Sequence, residues 1–283
     1  MEKTVQTGQD NKMSHETFKE IVGKKLNGIS GKISVVAENL MTGEFFAWNE
    51  NMTFNPASTI KLPILCAAYY WAEKGQLNLD ERIVLKDSDK VGGFGVVSEF
   101  AEGLQPTLRD LMKLMIVISD NTATNMVIEA VGFDRIKIFL EEKGLGEIRA
   151  ERKMYDYDAI KRGFNNVVKA RDLAKNLKGL AKGTLLAPEY CEEAIGIMLR
   201  QQCKNKIPLK VAAGWDPIAR QGPIKIAHKT GEVQGVEHDI GIIYTPCCEF
   251  LFVFLSEEIN SKAAIGLVSD LAQDFVNYFC VTA

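Results

Sequence analysis

The stretch NPASTIKLPI, Asn55 to Ile64, sets a hydroxyl and an amine three residues apart, Ser58 and Lys61, at the head of an apolar segment. On a helix, positions i and i+3 share a face, so the two groups can meet there. A hydroxyl beside a base is the pairing that nucleophilic catalysis needs, because a serine oxygen attacks well only when a neighbour takes its proton. The same stretch also reads as a plain helix start, with Asn55 or Ser58 as the cap, Pro56 in the first turn and Lys61 on the solvated side. Two further stretches carry chemistry-bearing residues. SDN, Ser119 to Asn121, lies at the junction of two predicted helices, and KTGE, Lys229 to Glu232, ends a predicted strand. Each has a structural reading too, SDN as a helix N-cap and KTG as a strand-to-turn exit.

Together and in this order, S-x-x-K, S-D-N and K-T-G are the motif set of class A β-lactamases and penicillin-binding proteins. The resemblance extends to NPASTIKLPI, LRDLMKLMIVISDNTATN and IKIAHKTGE followed by HDIGIIY, and covers the chain from about Lys32 to its end. On these residues the chain resembles the class A serine β-lactamase family. That resemblance implies an α+β fold of the β-lactamase type, with the active serine between a terminal sheet and a helical lobe. It implies Ser58 as the nucleophile and Lys61 as its base, once surroundings that include the cation Lys229 lower the lysine's pKa. Ser119 would relay the proton to the departing amine and Asn121 would hold the substrate's amide side chain. Lys229, Thr230 and Gly231 would form the substrate-carboxylate site. The backbone N–H groups of Ser58 and Glu232 would make the oxyanion hole.

The pattern breaks in two places. Class A enzymes carry E-x-x-L-N between SDN and KTG, and its glutamate activates the deacylating water. Here the corresponding stretch is RAERKMYDYDAIKRGFNN, Arg149 to Asn166, with Met154 or Tyr155 as the counterpart of the glutamate and Asp156 close behind. Asp156 is a tentative substitute, one methylene shorter, and a misplacement of about 1 Å can cost roughly 10²-fold. It reads also as a loop carboxylate which, like Asp158, pairs with Arg152 or Lys153. The strand arginine that grips the substrate carboxylate is missing as well. Glu237, His238 and Asp239 stand nearby, and Arg220, on a neighbouring segment, is the candidate to supply that charge instead. His238 is expected as a hydrogen-bonded structural histidine and Asp239 as an anchor of the strand end. A Ser-His-Asp arrangement using His228 or His238 lacks a G-x-S-x-G elbow.

Three functional readings follow. The first is a serine hydrolase that opens the β-lactam ring through an acyl-serine. The second is a D-alanyl-D-alanine peptidase or esterase of the same family with slow β-lactam deacylation. The third is a non-hydrolytic β-lactam-binding protein. Each takes a small-molecule partner, a β-lactam or a D-alanyl-D-alanine-type peptide. No cofactor is implied, and no metal, since His15, His228 and His238 form no ligand set with any cysteine.

These residues need a scaffold, and hydropathy patterning supplies one. KISVVAEN from Lys32 and GEFFAW from Gly43 read as a hairpin. TLRDLMKLMIVIS, NTATNMVIEAV, FDRIKIFLEEKG and KARDLAKNLKGLAKG carry helical spacing, with Thr107 and Asp110 as a capping pattern and Gly144 and Gly183 as stops. Strands return at IKIAHKTG, HDIGIIYTP and EFLFVFLSE. A last helix aligns Ile265, Val268, Ala272, Phe275 and Phe279. One antiparallel sheet from both chain ends is expected, packed with helices, with an all-helical lobe inserted. Residues 1–50 and 205–283 form the sheet lobe, with 1–15 as a mobile tail, and 51–204 the helical lobe, in one catalytic domain. The Gly-rich KVGGFGVVSEF, Lys90 to Phe100, lacks a P-loop ending and reads as a connection.

Of the 283 residues 46% are hydrophobic and 25% charged, and 34 Lys and Arg against 37 Asp and Glu leave a net charge of −3. With no basic stripe, nucleic acid is not expected as a partner. The longest apolar runs fall short of the roughly 18 residues a membrane span needs. The polar N-terminus lacks the apolar core of a secretory signal, which places the chain in the cytoplasm unless a signal has been removed. Cys66, Cys191, Cys203, Cys247, Cys248 and Cys280 show no paired spacing and are expected as free thiols. A monomer is expected, because no heptad or exposed apolar stripe is evident.

Overall fold

The computed structural model describes residues 13–211 and 224–282. The hairpin forms as expected from β1 (Lys32–Asn39) and β2 (Phe45–Trp48), with Val35 opposite Trp48. Gly43 makes the turn at a φ of +78°, a conformation in which a β-carbon is strained. A two-stranded ribbon pairs β3 (Thr53–Phe54) with β4 (Val168–Lys169). The last third of the chain supplies β5 (Lys225–Val233), β6 (Val236–Tyr244) and β7 (Glu249–Glu257). The main sheet runs β2-β1-β7-β6-β5, antiparallel throughout, so residues from both chain ends meet at the β1–β7 ladder.

The described residues also form ten α-helices. They are α1 (His15–Asn27), α2 (Lys61–Glu73), α3 (Leu108–Val117), α4 (Asn121–Val131), α5 (Phe133–Glu142), α6 (Tyr157–Lys161), α7 (Ala170–Ala181), α8 (Pro188–Met198), α9 (Ile207–Val211) and α10 (Ser261–Thr282). Thr107 caps α3 by accepting from the Asp110 N–H at 3.1 Å, as its spacing to Asp110 suggested. Gly144 and Gly183 follow α5 and α7.

The pleat of β7 sorts the core into two layers. Phe250, Phe252 and Phe254 point to one face and pack with α1, α9 and α10, including Phe275 and Phe279. Leu251, Val253 and Leu255 point to the other and join the larger core of α2–α5, α7 and α8. In α2, every residue from Leu62 to Trp71 is buried, which is why it carries no polar stripe.

Two expectations are corrected. Helix α1 went unread in the sequence, because only Phe18, Val22 and Leu26 mark its apolar side. His15, assigned to a mobile tail, opens that helix 2.9 Å from Glu44 Oε1, with Ser14 as the cap. The cysteines are not all free thiols. Cys247 and Cys280 are joined by a disulfide with Cα atoms 5.4 Å apart, because α10 packs its far end against the β6–β7 turn. Cys66, Cys191 and Cys248 are buried thiols. No helix among the described residues is long and apolar enough to cross a membrane.

Candidate active site

Ser58 sits on a 3₁₀ turn, Ala57–Ile60, that leads into α2. Local chemistry builds this turn. Asn55 Oδ1 accepts from the Ala57 N–H at 3.1 Å, and Thr59 Oγ1 donates to the Pro56 carbonyl at 2.7 Å. Ala57 holds a φ of +44°, a strained conformation that the surrounding contacts maintain. Strand β5 then closes against the turn. A β-carbon on Gly231 would lie 3.0 Å from the Pro56 carbonyl oxygen and 3.2 Å from the Ser58 nitrogen, so only glycine allows this approach without displacement. Neither Asn55 nor Ser58 caps α2 with its side chain.

Lys61 is fully buried rather than solvated. Its Nζ lies 2.7 Å from the Ser119 carbonyl, 2.8 Å from Asn121 Oδ1 and 3.1 Å from Ser119 Oγ. No hydrogen bond joins it to Ser58 among the described residues. Lys229, also fully buried, donates to the same Ser119 Oγ at 3.0 Å and to the Thr230 carbonyl at 2.7 Å. Ser119 adopts a φ of +58° in the short turn between α3 and α4. Asp120 caps α4 through the Ala123 N–H at 2.8 Å, so SDN serves as a helix start and as a site element at once.

Burial and the nearby Lys229 charge hold the Lys61 amine well below the usual lysine range. Burial likewise lowers Lys229, to about 7. A neutral Lys61 has two N–H groups for the Ser119 carbonyl and Asn121, and a lone pair left for the Ser119 hydroxyl. That hydroxyl accepts from Lys229 and can give its own proton to Lys61. The arrangement is a ready proton path.

The strand end beyond KTG is anchored by a buried charge cluster that the sequence did not reveal. Lys206, fully buried, lies 3.0 Å from Glu232 Oε2 and 2.9 Å from Glu237 Oε2. Burial alone would lower this lysine, but the hydrogen bond to Glu237 and the charges of Glu237, Glu232 and Asp239 outweigh it and raise its pKa. Asp239 accepts from the Ile207 N–H at 3.0 Å and from His228 Nδ1 at 2.9 Å, tying β6 to α9. His238 Nδ1 accepts from the Ser256 N–H at 3.0 Å, so Nε2 carries the proton and donates to the Asn55 carbonyl at 2.7 Å. Both histidines are thus structural, and neither ring bonds Ser58. Arg220 lies outside the described residues.

These elements surround a cleft of about 640 Å³. Ser58, Asn121 and Glu232 line it, together with Gly93, Phe94, Arg152, Met154, Tyr155 and Asn166. The Gly-rich stretch read as a mere connection is therefore one wall. Asp120 Oδ2 accepts from the Val96 and Val97 N–H groups at 2.6 and 2.9 Å, and Asn121 donates to the Gly92 carbonyl at 3.1 Å. The close glycines at 92, 93 and 95 were its sequence signal. Met154 is held by Asn125, which accepts from its N–H at 2.7 Å and donates to its carbonyl at 3.1 Å. Asp156 is turned to another task. It caps α6 by accepting from the Ala159 N–H at 2.8 Å and does not line the cleft. The pairings expected nearby also differ, since Lys153 pairs with Glu129 and Asp158 with Lys161.

Comparison with known proteins agrees with this architecture. The sequence pattern of the beta-lactamase enzyme family matches residues 15–279. Beta-lactamase CARB-3 of Pseudomonas aeruginosa is 28% identical over 197 residues, 69% of this chain and 68% of that protein. Beta-lactamase 3 of Bacillus cereus is 27% identical over 244 residues, 84% of this chain and 71% of that protein. The crystal structure of a beta-lactamase from Sphaerobacter thermophilus superimposes with a TM-score of 0.84 at 28% identity, covering 94% of this chain and 98% of that one. The structure of PBP-A shares the fold at a TM-score of 0.83 and 23% identity, covering 94% of this chain and 96% of that one. A match that spans nearly the whole chain, over the same sheet and helices, makes it a member of the beta-lactamase enzyme family, a class A-like hydrolase.

Proposed function

We propose that this hydrolase opens the β-lactam ring through an acyl-enzyme on Ser58. One observation carries the reading: Lys61 and Lys229 converge on Ser119 Oγ, on the turn that also supplies Asn121 to the cleft lined by Ser58. Neutral Lys61, directly or through the Ser119 hydroxyl, takes the Ser58 proton as Oγ attacks the lactam carbonyl. Catalytic hydrogen bonds absent in a free enzyme often form only once substrate is in place. The N–H groups of Ser58 and Glu232 stabilise the oxyanion, a contribution of order 10² to 10³ in rate for each such donor. The C–N bond then breaks, and Ser119 delivers the proton to the departing nitrogen. Lys229, Thr230 and Gly231 receive the substrate carboxylate and Asn121 the amide of its side chain. Water finally hydrolyses the ester.

The 149–166 segment favours a second reading. Met154 and Tyr155, the two counterparts that the resemblance offers for the deacylating glutamate, both line the cleft without a carboxylate, and Asp156 is committed to a helix cap. An enzyme so built acylates readily and deacylates slowly, as suits a D-alanyl-D-alanine peptidase or esterase for which β-lactams are trapping ligands. A β-lactam-binding protein that stays acylated is the limiting case.

Intact-protein mass spectrometry with a penicillin and a chromogenic cephalosporin tests both readings. An adduct on Ser58 that turns over many times supports the β-lactamase, and a stable adduct without turnover supports the peptidase or esterase. Ser58→Ala must abolish the adduct. Full turnover by that variant would end the proposal.

A further inference from the structure

The cleft contains a cation that none of these steps uses. Arg152 lines it, and its backbone is fixed on both sides by buried Asn166, whose Oδ1 accepts from the Arg152 N–H at 3.1 Å and whose Nδ2 donates to the Arg152 carbonyl at 3.2 Å. Among the described residues its guanidinium makes one hydrogen bond, from Nη1 to the Lys153 carbonyl at 3.1 Å. Its Nε is buried without a partner, and no carboxylate lies within 4.0 Å of the group among the described residues. A guanidinium carries five N–H donors in a planar fork suited to a carboxylate, and burial lowers the Arg152 pKa with the nearby Asp156 charge offsetting only part of that effect. Among the described residues the one other charged side chain on the cleft wall, Glu232, is already paired with Lys206. Tyr155, at a φ of +61°, brings its hydroxyl against Gly93 on the opposing wall, where a β-carbon would lie 2.3 Å away.

We propose that Arg152 is a specificity residue that receives a carboxylate carried by the acyl side of the substrate, the side of the scissile amide whose carbonyl carbon bonds to Ser58. This inference rests on the acyl-serine reading. Under that reading Lys229 and Thr230 on β5 already take the carboxylate of the departing side. A second anion at Arg152, on the separate 149–166 segment, must therefore come from the acyl side. The natural substrates are then those whose acyl group bears a free acid, such as acidic peptides or acyl groups with an α-carboxylate.

The test compares two penicillins that differ in one group, a phenylacetyl side chain and the same side chain bearing an α-carboxylate. Acylation rate constants are read by intact-protein mass spectrometry for wild type, Arg152→Gln and Arg152→Lys. Wild type should favour the carboxylated compound by about tenfold or more, the worth of one charge-assisted contact. In Arg152→Gln that ratio should fall to near one whatever the absolute rates, and Arg152→Lys should keep part of it. Equal rates in wild type, or a ratio that survives Arg152→Gln, overturns the proposal without needing the variants to be equally stable. If neither compound acylates Ser58, the acyl-serine reading fails. Titration calorimetry then decides the role of Arg152 separately: a tenfold binding preference lost in Arg152→Gln upholds it, and equal or absent binding overturns it.

Discussion

Lys61 and Lys229 share a hydrogen-bond partner, Ser119 Oγ, at 3.1 and 3.0 Å. Two ammonium groups focused on one oxygen, both fully buried, repel each other, and that repulsion adds to desolvation in keeping Lys61 neutral. Lys229→Met should therefore raise the Lys61 pKa and move the acidic limb of the acylation pH profile to higher pH. It should also slow acylation about 10- to 100-fold through the lost substrate contact. Stability gives a second readout. Lys229 titrates at about 7 when folded against 10.5 normally, so across that window the unfolded chain holds more protons and stability rises with pH. The variant should flatten that rise in melting temperature.

Lys206 bridges Glu232 and Glu237 beneath the strand end that supplies the proposed oxyanion donor. Lys206→Met leaves the buried Glu237 carboxylate uncompensated and should cost about 3–5 kcal/mol in urea unfolding. The double variant Lys206→Met, Glu237→Gln removes the orphaned charge and should recover part of that loss. No recovery would mean that the lysine acts through packing alone.

His238 is neutral because its Nδ1 accepts the Ser256 N–H in a fully buried site, and burial lowers its pKa to about 4. Between pH 4 and the ordinary value of 6.5 the unfolded chain takes up the proton and the folded chain does not. Stability should fall by about 3 kcal/mol as pH drops through this window, and stay level in this contribution below it. His238→Gln should weaken the acid dependence, read as melting temperature from pH 7 to pH 4.

Met154 lines the cleft with its backbone locked to Asn125. If the missing carboxylate limits deacylation, Met154→Glu should shorten the lifetime of a penicillin adduct by about 10²-fold, the usual contribution of a positioned general base. Adduct decay followed by mass measures it. An unchanged lifetime would place the limiting feature elsewhere in the 149–166 segment.

The sequence alone determined whatever depends on neighbours close along the chain. The β1–β2 hairpin, the Thr107 cap, the glycine stops and the alternation of β7 follow from local geometry and from one face meeting a core. It also identified Ser58, Lys61, Ser119, Asn121 and Lys229 by their motifs, and these the fold assembles around one cleft or its buried floor. Tertiary structure decided what those groups experience. Lys61 faces Ser119 rather than Ser58, because residues 58 positions apart in sequence are packed together and dried. Asp156 could be read as a base until a helix began after it, and the Gly-rich stretch as a connection until Asp120 drew it in. Arg152, Lys206 and the Cys247–Cys280 pair carry no motif at all. Their roles come from burial and long-range proximity, which set the energy of a charge and the partners of a thiol and leave no periodic trace in the chain.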